Sequence, residues 1–196
     1  MLEGRTIAGA KTKRDRVEND FYATPKSSTL ALLSIEELIF PVWECACGQG
    51  HISKVIESYY NVSIVSSDLI DRGYGITPVD FLKLSKDNLP ESFKGINTII
   101  TNPPFALFLY FIKKGLELTN RKLILFGKIQ ALEGVERATF IQKSPLRYVY
   151  VFKKRQSPLR NGSSVDENGK EWNSTMCFCW FVWDKEHTGE PIIRWL

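Results

Sequence analysis

Residues 95–105, Gly95-Ile96-Asn97-Thr98-Ile99-Ile100-Thr101-Asn102-Pro103-Pro104-Phe105, decide how the rest of the chain is read. Residues 95–100 form an apolar run of strand length, and residues 106–118 carry helical spacing. Between them Asn102 precedes a proline and is driven toward extended geometry, while Pro103 and Pro104 have fixed φ and bring no N–H to a ladder or a helix. The result is a stiff corner at a strand's carboxyl end. It gathers an amide side chain, proline carbonyls and the aromatic face of Phe105 at one spot.

Outward from that corner the pattern alternates. Residues 42–45 read as a short strand running into Glu44-Cys45-Ala46-Cys47-Gly48-Gln49-Gly50, then a helix at 51–60 and a strand at 62–67 ending on Asp68. Before them, Asp20-Phe21-Tyr22-Ala23-Thr24-Pro25 leads into a helix capped by Ser27 or Ser28, with Leu30, Leu33, Leu38 and Ile39 as its apolar stripe and Pro41 as its stop. After the corner come a strand at 122–126, a helix at 131–142 despite Gly134, and strands at 148–152 and 175–183. Strands alternating with helices predict an α/β, Rossmann-like sheet, mainly parallel, with helices on both faces. Only 148–152 and 175–183 lack a helix between them, so an antiparallel strand is expected near the carboxyl terminus. In such sheets ligands bind beyond the strands' carboxyl ends. The Gly48/Gly50 turn, Asp68, the Asn102 corner and the basic loop from Lys153 all fall at that edge, and Lys128 and Arg137 join them without an assigned role.

The 196 residues, 43% apolar and 24% charged, suit one compact domain over residues 20–196 behind a flexible basic arm at 1–19. No apolar run is long enough to span a bilayer and no signal stretch opens the chain, so the expected location is cytoplasmic, with no membrane partner. Cys45/Cys47 and Cys177/Cys179 lack the usual metal spacing and are expected to be reduced core thiols, with no metal bound. The net charge of +4 is modest, but Lys143, Arg147, Lys153, Lys154, Arg155 and Arg160 lie within residues 143–160 without an acid among them. That segment carries the whole positive excess, and the loop at 153–173 is expected to meet a polyanion.

The corner suits a particular chemistry. An exocyclic amine such as adenine N6 is a poor nucleophile because its lone pair is delocalised into the ring. Two acceptors, the Asn102 side-chain oxygen and the Pro103 carbonyl, would grip its two N–H groups and turn the lone pair toward an electrophile, while Phe105 stacks on the base.

With these residues in place the chain resembles the class I S-adenosylmethionine-dependent methyltransferases, and specifically phage-type DNA N6-adenine methyltransferases. The similarity lies in DFYATP, ECACGQG, TNPPF, LEGVER and the WFVWDK…GEPIIRW ending. It implies transfer of a methyl group from S-adenosylmethionine to adenine N6 in DNA, with no metal. Phe21, Tyr22, Thr24 and Pro25 match the family's amino-terminal cofactor motif, and Glu44, Ala46, Gly48 and Gly50 the main cofactor turn. Asp68 matches the ribose carboxylate, Asp80 and Phe81 the adenine end of the cofactor, and Asn102, Pro103, Pro104 and Phe105 the catalytic motif, with Asn102 also expected among the cofactor-binding residues. Lys153, Lys154, Arg155 and Arg160 are the candidates for nucleic-acid contacts. The missing third glycine of G-x-G-x-x-G argues against a dinucleotide. RNA adenine or a protein glutamine amide as substrate, and a non-catalytic binding module, are the alternative readings.

Overall fold

The computed structural model describes residues 22–160 and 176–196. The arm at 1–19, Phe21, and most of the expected basic loop lie outside the described residues. In chain order the elements are β1 (Tyr22–Ala23), α1 (Lys26–Leu33), β2 (Val42–Glu44), α2 (Ser53–Tyr60), β3 (Val65–Ser66), β4 (Thr98–Thr101), α3 (Phe108–Leu118), β5 (Lys122–Lys128), α4 (Val135–Gln142), β6 (Leu146–Val151), β7 (Leu159–Arg160), β8 (Phe178–Asp184) and β9 (Ile192–Trp195).

Seven strands form one sheet in the order β3-β2-β4-β5-β8-β6-β9. All run parallel except β8, which is antiparallel to both β5 and β6. Both faces are covered, so the middles of the central strands are apolar on both sides, with polar residues confined to their ends. Ile99, Leu123, Leu125, Phe181 and Trp183 face α3 and α4, with Phe111, Ile112 and Ile141 packed on them. Ile100, Ile124, Phe126, Trp180 and Val182 face α1 and α2, with Leu32, Val55 and Ile56. Cys45, Cys47 and Cys179 are buried free thiols in this packing and Cys177 is half-buried. Among the described residues no helix is long and apolar enough to cross a membrane.

Several local expectations are corrected. The helix expected over 131–142 begins only at Val135: a 3-10 turn covers Ile129–Leu132 and Gly134 takes φ 94°, which breaks the ladder. Neither Ser27 nor Ser28 caps α1, because Pro25 occupies the cap position and the Ser28 hydroxyl donates to Gln156 Oε1 at 2.8 Å. The helix stops at Leu33, so Leu38 is buried beyond it rather than on its stripe. The pairing of β1 with β7 and the edge strand β9 carried no signal in the periodicity, since two to four residues are too few to show one.

The amino edge of the sheet is held by buried charge. Lys122 at the start of β5 donates to Glu36 Oε1 at 2.6 Å and to the Glu37 carbonyl at 2.8 Å, and the Tyr150 hydroxyl donates to Glu36 Oε2 at 2.7 Å. Asp184, closing β8 there, accepts from Arg121 at 2.7 Å and Arg147 at 2.8 Å. Burial pushes the Asp184 carboxyl up, but hydrogen bonds from Arg121, the Glu186 N–H and Arg147 outweigh it and hold it below the ordinary carboxylate value. These charges satisfy one another, which marks the amino edge as structural.

Candidate functional site

The chain passes from β2 out to β3 on one side and returns to β4 on the other, so the loops after β2 and β4 diverge over a crevice at the carboxyl edge. Those two loops are the glycine turn and the Asn-Pro-Pro-Phe corner. They touch: the Thr101 hydroxyl donates to the Ala46 carbonyl at 3.3 Å.

The glycine turn is built by two carboxylates. Glu44, 2% exposed, accepts from the Ser53 N–H at 2.8 Å and from the Ser53 hydroxyl, and so holds the first residue of α2. Asp68 Oδ2 accepts from the Gly48 N–H at 2.7 Å, while Oδ1 accepts from the Ile70 N–H at 2.9 Å and from Arg72 at 3.2 Å. The acid expected to meet a ribose thus also pins the turn. Gly48 and Gly50 adopt φ of 55° and 77°, a region that other residues enter only with strain.

A residue without a motif supports this turn. The Tyr74 ring lies against Gly50, where an added Cβ would sit 2.5 Å from it, and is held by its hydroxyl on Glu57 at 3.1 Å and by Lys54 Nζ 4.8 Å above the ring. The signal, visible only in retrospect, is its place between Gly73 and Gly75. Gly50→Ala is expected to lose roughly 2–4 kcal/mol of stability, the sum of left-handed strain and overpacking. Urea unfolding checks this, and adding Tyr74→Ala should recover the overpacking part alone.

Burial pushes the Glu44 carboxyl up to about 8, against the lowering effect of its Ser53 hydrogen bonds. Between its ordinary value of 4.5 and about 8 the unfolded chain loses this proton while the folded chain keeps it. The contribution to stability is therefore full below pH 4.5 and declines as pH rises through 8. Glu44→Gln, which keeps an acceptor for Ser53, should flatten that decline in denaturation measured across the same range.

At the corner the Asn102 side-chain N–H donates to the Tyr22 carbonyl at 2.6 Å. A carbonyl can only accept, so this contact fixes which end of the amide is nitrogen and turns Oδ1 away from β1. Among the described residues none donates to Oδ1 or to the Pro103 carbonyl, whereas the Pro104 carbonyl accepts from the Leu107 N–H at 2.8 Å. Phe105 is half-buried, with Tyr22 stacked at 6.2 Å, Phe178 tilted at 5.8 Å, and Lys128 Nζ 4.5 Å above its ring.

The remaining expected residues divide. Thr24 is 2% exposed and its hydroxyl has no hydrogen-bond partner among the described residues, while the Pro25 carbonyl accepts from the Ser28 and Thr29 N–H groups. Asp80 accepts from the Leu82 N–H at 3.2 Å and caps a 3-10 turn, close to Asp68 through the Val79 N–H bond to the Asp68 carbonyl at 2.8 Å. Phe81 is 3% exposed and belongs to the core, stacked on Phe111 at 5.1 Å and edge-on to Trp43 at 5.3 Å. Its ring is not open to the crevice. Lys153, Lys154 and Arg155 are exposed, and the segment after them returns to the site: Gln156 meets Ser28, and β7 pairs Arg160 with Tyr22 and Leu159 with Ala23. A groove of about 550 Å³ between α3 and α4, lined by Lys113, Leu116, Glu136, Phe140, Lys143 and others, contains none of the site residues. No group of three or more His, Cys, Asp or Glu among the described residues could hold a metal ion.

No protein-family model matches the sequence, and no curated protein matches it significantly. Among solved structures the chain is similar to a modification subunit of a putative type I restriction enzyme from Vibrio vulnificus, at 11% identity and a TM-score of 0.56 over 85% of this chain and 45% of that one. It is similar to a putative hemolysin from Lactococcus lactis, at 11% identity and a TM-score of 0.55 over 88% and 94%. The M protein of the type I restriction enzyme EcoKI follows at 14% identity and 0.51, over 83% and 44%. The chain spans less than half the length of either restriction-enzyme subunit. At these identities the likeness establishes the fold alone: a mainly parallel, Rossmann-like sheet with one reversed strand.

Proposed function

We propose that the protein is an S-adenosylmethionine-dependent methyltransferase acting on the exocyclic N6 of adenine in DNA. A shared fold does not choose the function, as the hemolysin among the neighbours illustrates, so the site has to carry the reading. The observation that carries it is the Asn102 amide. Its nitrogen is committed to the Tyr22 carbonyl and its oxygen is left to accept, beside a second carbonyl at Pro103 and an aromatic face at Phe105. Two acceptors and a stacking surface suit a planar base bearing an NH₂ group.

The residues present fit the proposed cofactor. The glycine turn lets backbone approach a ligand closely, the Thr24 hydroxyl (unpartnered among the described residues) adjoins the β1 segment that holds Asn102, and Asp68 Oδ2 keeps a lone pair for a ribose hydroxyl. Bound there, S-adenosylmethionine supplies a methyl group on a positively charged sulfur, a good leaving group. Asn102 and Pro103 hold the amine and orient its lone pair. Phe105 keeps the base flat, and the corner's prolines prevent the acceptors from drifting. The restriction-enzyme subunits among the neighbours and the exposed Lys153, Lys154 and Arg155 beside the site support DNA as the substrate. So does the position of Arg160 in β7.

The test is partition of a labelled methyl group. Purified protein is incubated with labelled S-adenosylmethionine and, separately, with heterogeneous DNA, RNA and protein extract. Label should enter DNA. Label entering only RNA or only protein would overturn the proposed substrate, and tight cofactor binding with no transfer to any of them would favour a binding module.

A further inference from the structure

The glycine turn is held from a second direction. After Asp68 the chain forms a strap, residues 71–78, that is stitched to β3 at the edge of the sheet: the Ile76 N–H donates to the Ser66 carbonyl at 2.8 Å and the Asp68 N–H to the Ile76 carbonyl at 3.1 Å. From there the strap reaches the turn after β2. The Cys47 thiol donates to the Tyr74 carbonyl at 3.5 Å. A Cβ on Gly75 would sit 2.8 Å from the Cys47 sulfur and 2.9 Å from the Ser66 carbonyl oxygen, so a side chain there would push the strap away. The Tyr74 ring covers Gly50, and Lys54 Nζ, 4.8 Å from the centre of that ring, donates to the Gln49 carbonyl at 2.8 Å. Tyr74 arrives from the side of α2, since its hydroxyl reaches Glu57 in the middle of that helix.

A turn whose backbone depends on two glycines is loose by composition, and a ligand that needs it in one conformation has to order it. Asp68 anchors the turn at the Gly48 N–H, and Glu44 anchors α2 at Ser53. Between those anchors lie Gln49 and Gly50, the two residues that Lys54 and Tyr74 meet. We propose that Tyr74 is a positioning residue for the cofactor site: its ring, braced by Glu57 and Lys54, keeps Gln49 and Gly50 in the conformation that S-adenosylmethionine meets, so that binding does not have to order them. This rests on the methyltransferase reading above. The effect of Tyr74 passes through the turn and not through the reacting atoms.

The experiment pairs two measurements on the purified protein without DNA: calorimetric affinity for S-adenosylmethionine, and hydrogen exchange over residues 47–50 with no ligand, both well below the melting temperature. In Tyr74→Ala the turn should exchange faster and the cofactor Kd should rise roughly tenfold, the scale of ordering one freed backbone residue. Tyr74→Phe keeps the ring on Gly50 and loses only the hydroxyl's bond to Glu57, so its Kd should return to within about threefold of wild type. Lys54→Met should weaken binding less than Tyr74→Ala, and the two losses should not add, because Lys54 leans on the ring that the other variant removes. Where Tyr74→Ala melts early, Tyr74→Leu is read in the same way. A merely structural role would lower the melting temperature and leave Kd at the wild-type value. That result, or faster exchange with an unchanged Kd, overturns the positioning role and leaves the methyltransferase reading standing. A wild-type protein that binds no S-adenosylmethionine overturns both.

Discussion

Asn102→Ala is expected to lower methyl transfer to DNA by roughly 10²–10³-fold or more, the usual consequence of removing one preorganised hydrogen-bonding partner from a reacting centre. The loss should appear in kcat as well as kcat/KM, because the amide grips the amine most tightly as nitrogen becomes tetrahedral. Cofactor affinity measured by calorimetry should change little, since the glycine turn is built by Glu44, Asp68 and Thr101 and not by this amide. The Tyr22 contact also disappears, so thermal melting has to accompany the kinetics. An Asn102→Ala protein that melts normally and methylates normally would remove the assigned grip.

The largest effect on stability is expected far from the crevice. Lys122→Met leaves the Glu36 carboxylate, 5% exposed at its side chain, with the Tyr150 hydroxyl but no cation. Removing one partner of a buried ion pair costs about 3–5 kcal/mol, most of it the burden of the charge left behind. The double variant Lys122→Met/Glu36→Leu should regain much of that loss, because an apolar replacement of the whole pair is often neutral. Urea unfolding of the two single variants and the double variant forms a cycle. A single variant losing less than about 1 kcal/mol, the range of an exposed pair, would contradict the buried reading.

The order of elements and the edge at which the glycine turn and the Asn-Pro-Pro-Phe corner lie were legible in the chain because each rests on a strong local signal. The apolar runs of β4, β5 and β8 are continuous, since helices cover both faces, and the Pro-Pro corner and the glycine turn stop their neighbours abruptly. What the sequence did not carry is what depends on contacts distant along the chain. Nothing in Tyr22–Ala23 or Leu159–Arg160 alone announces that they pair, yet that pairing brings the basic segment to the corner. Glu44 matched a cofactor motif, but nothing local announced that its carboxyl also holds Ser53 at the start of α2. Phe81 matched another, and its ring went to the core because Trp43 and Phe111 form an apolar face that outcompetes exposure. Tyr74 has no motif and is visible only through the space it denies to Gly50.

The central claim is that Asn102 and Pro103 hold the N6 amine of adenine. The most direct test is mass spectrometry of nucleosides released from DNA after incubation with the purified protein and S-adenosylmethionine. N6-methyldeoxyadenosine is the predicted product with the wild-type protein, and it should be nearly absent with Asn102→Ala. N4-methyldeoxycytidine as the product, or undiminished N6-methyldeoxyadenosine from Asn102→Ala, would contradict the account.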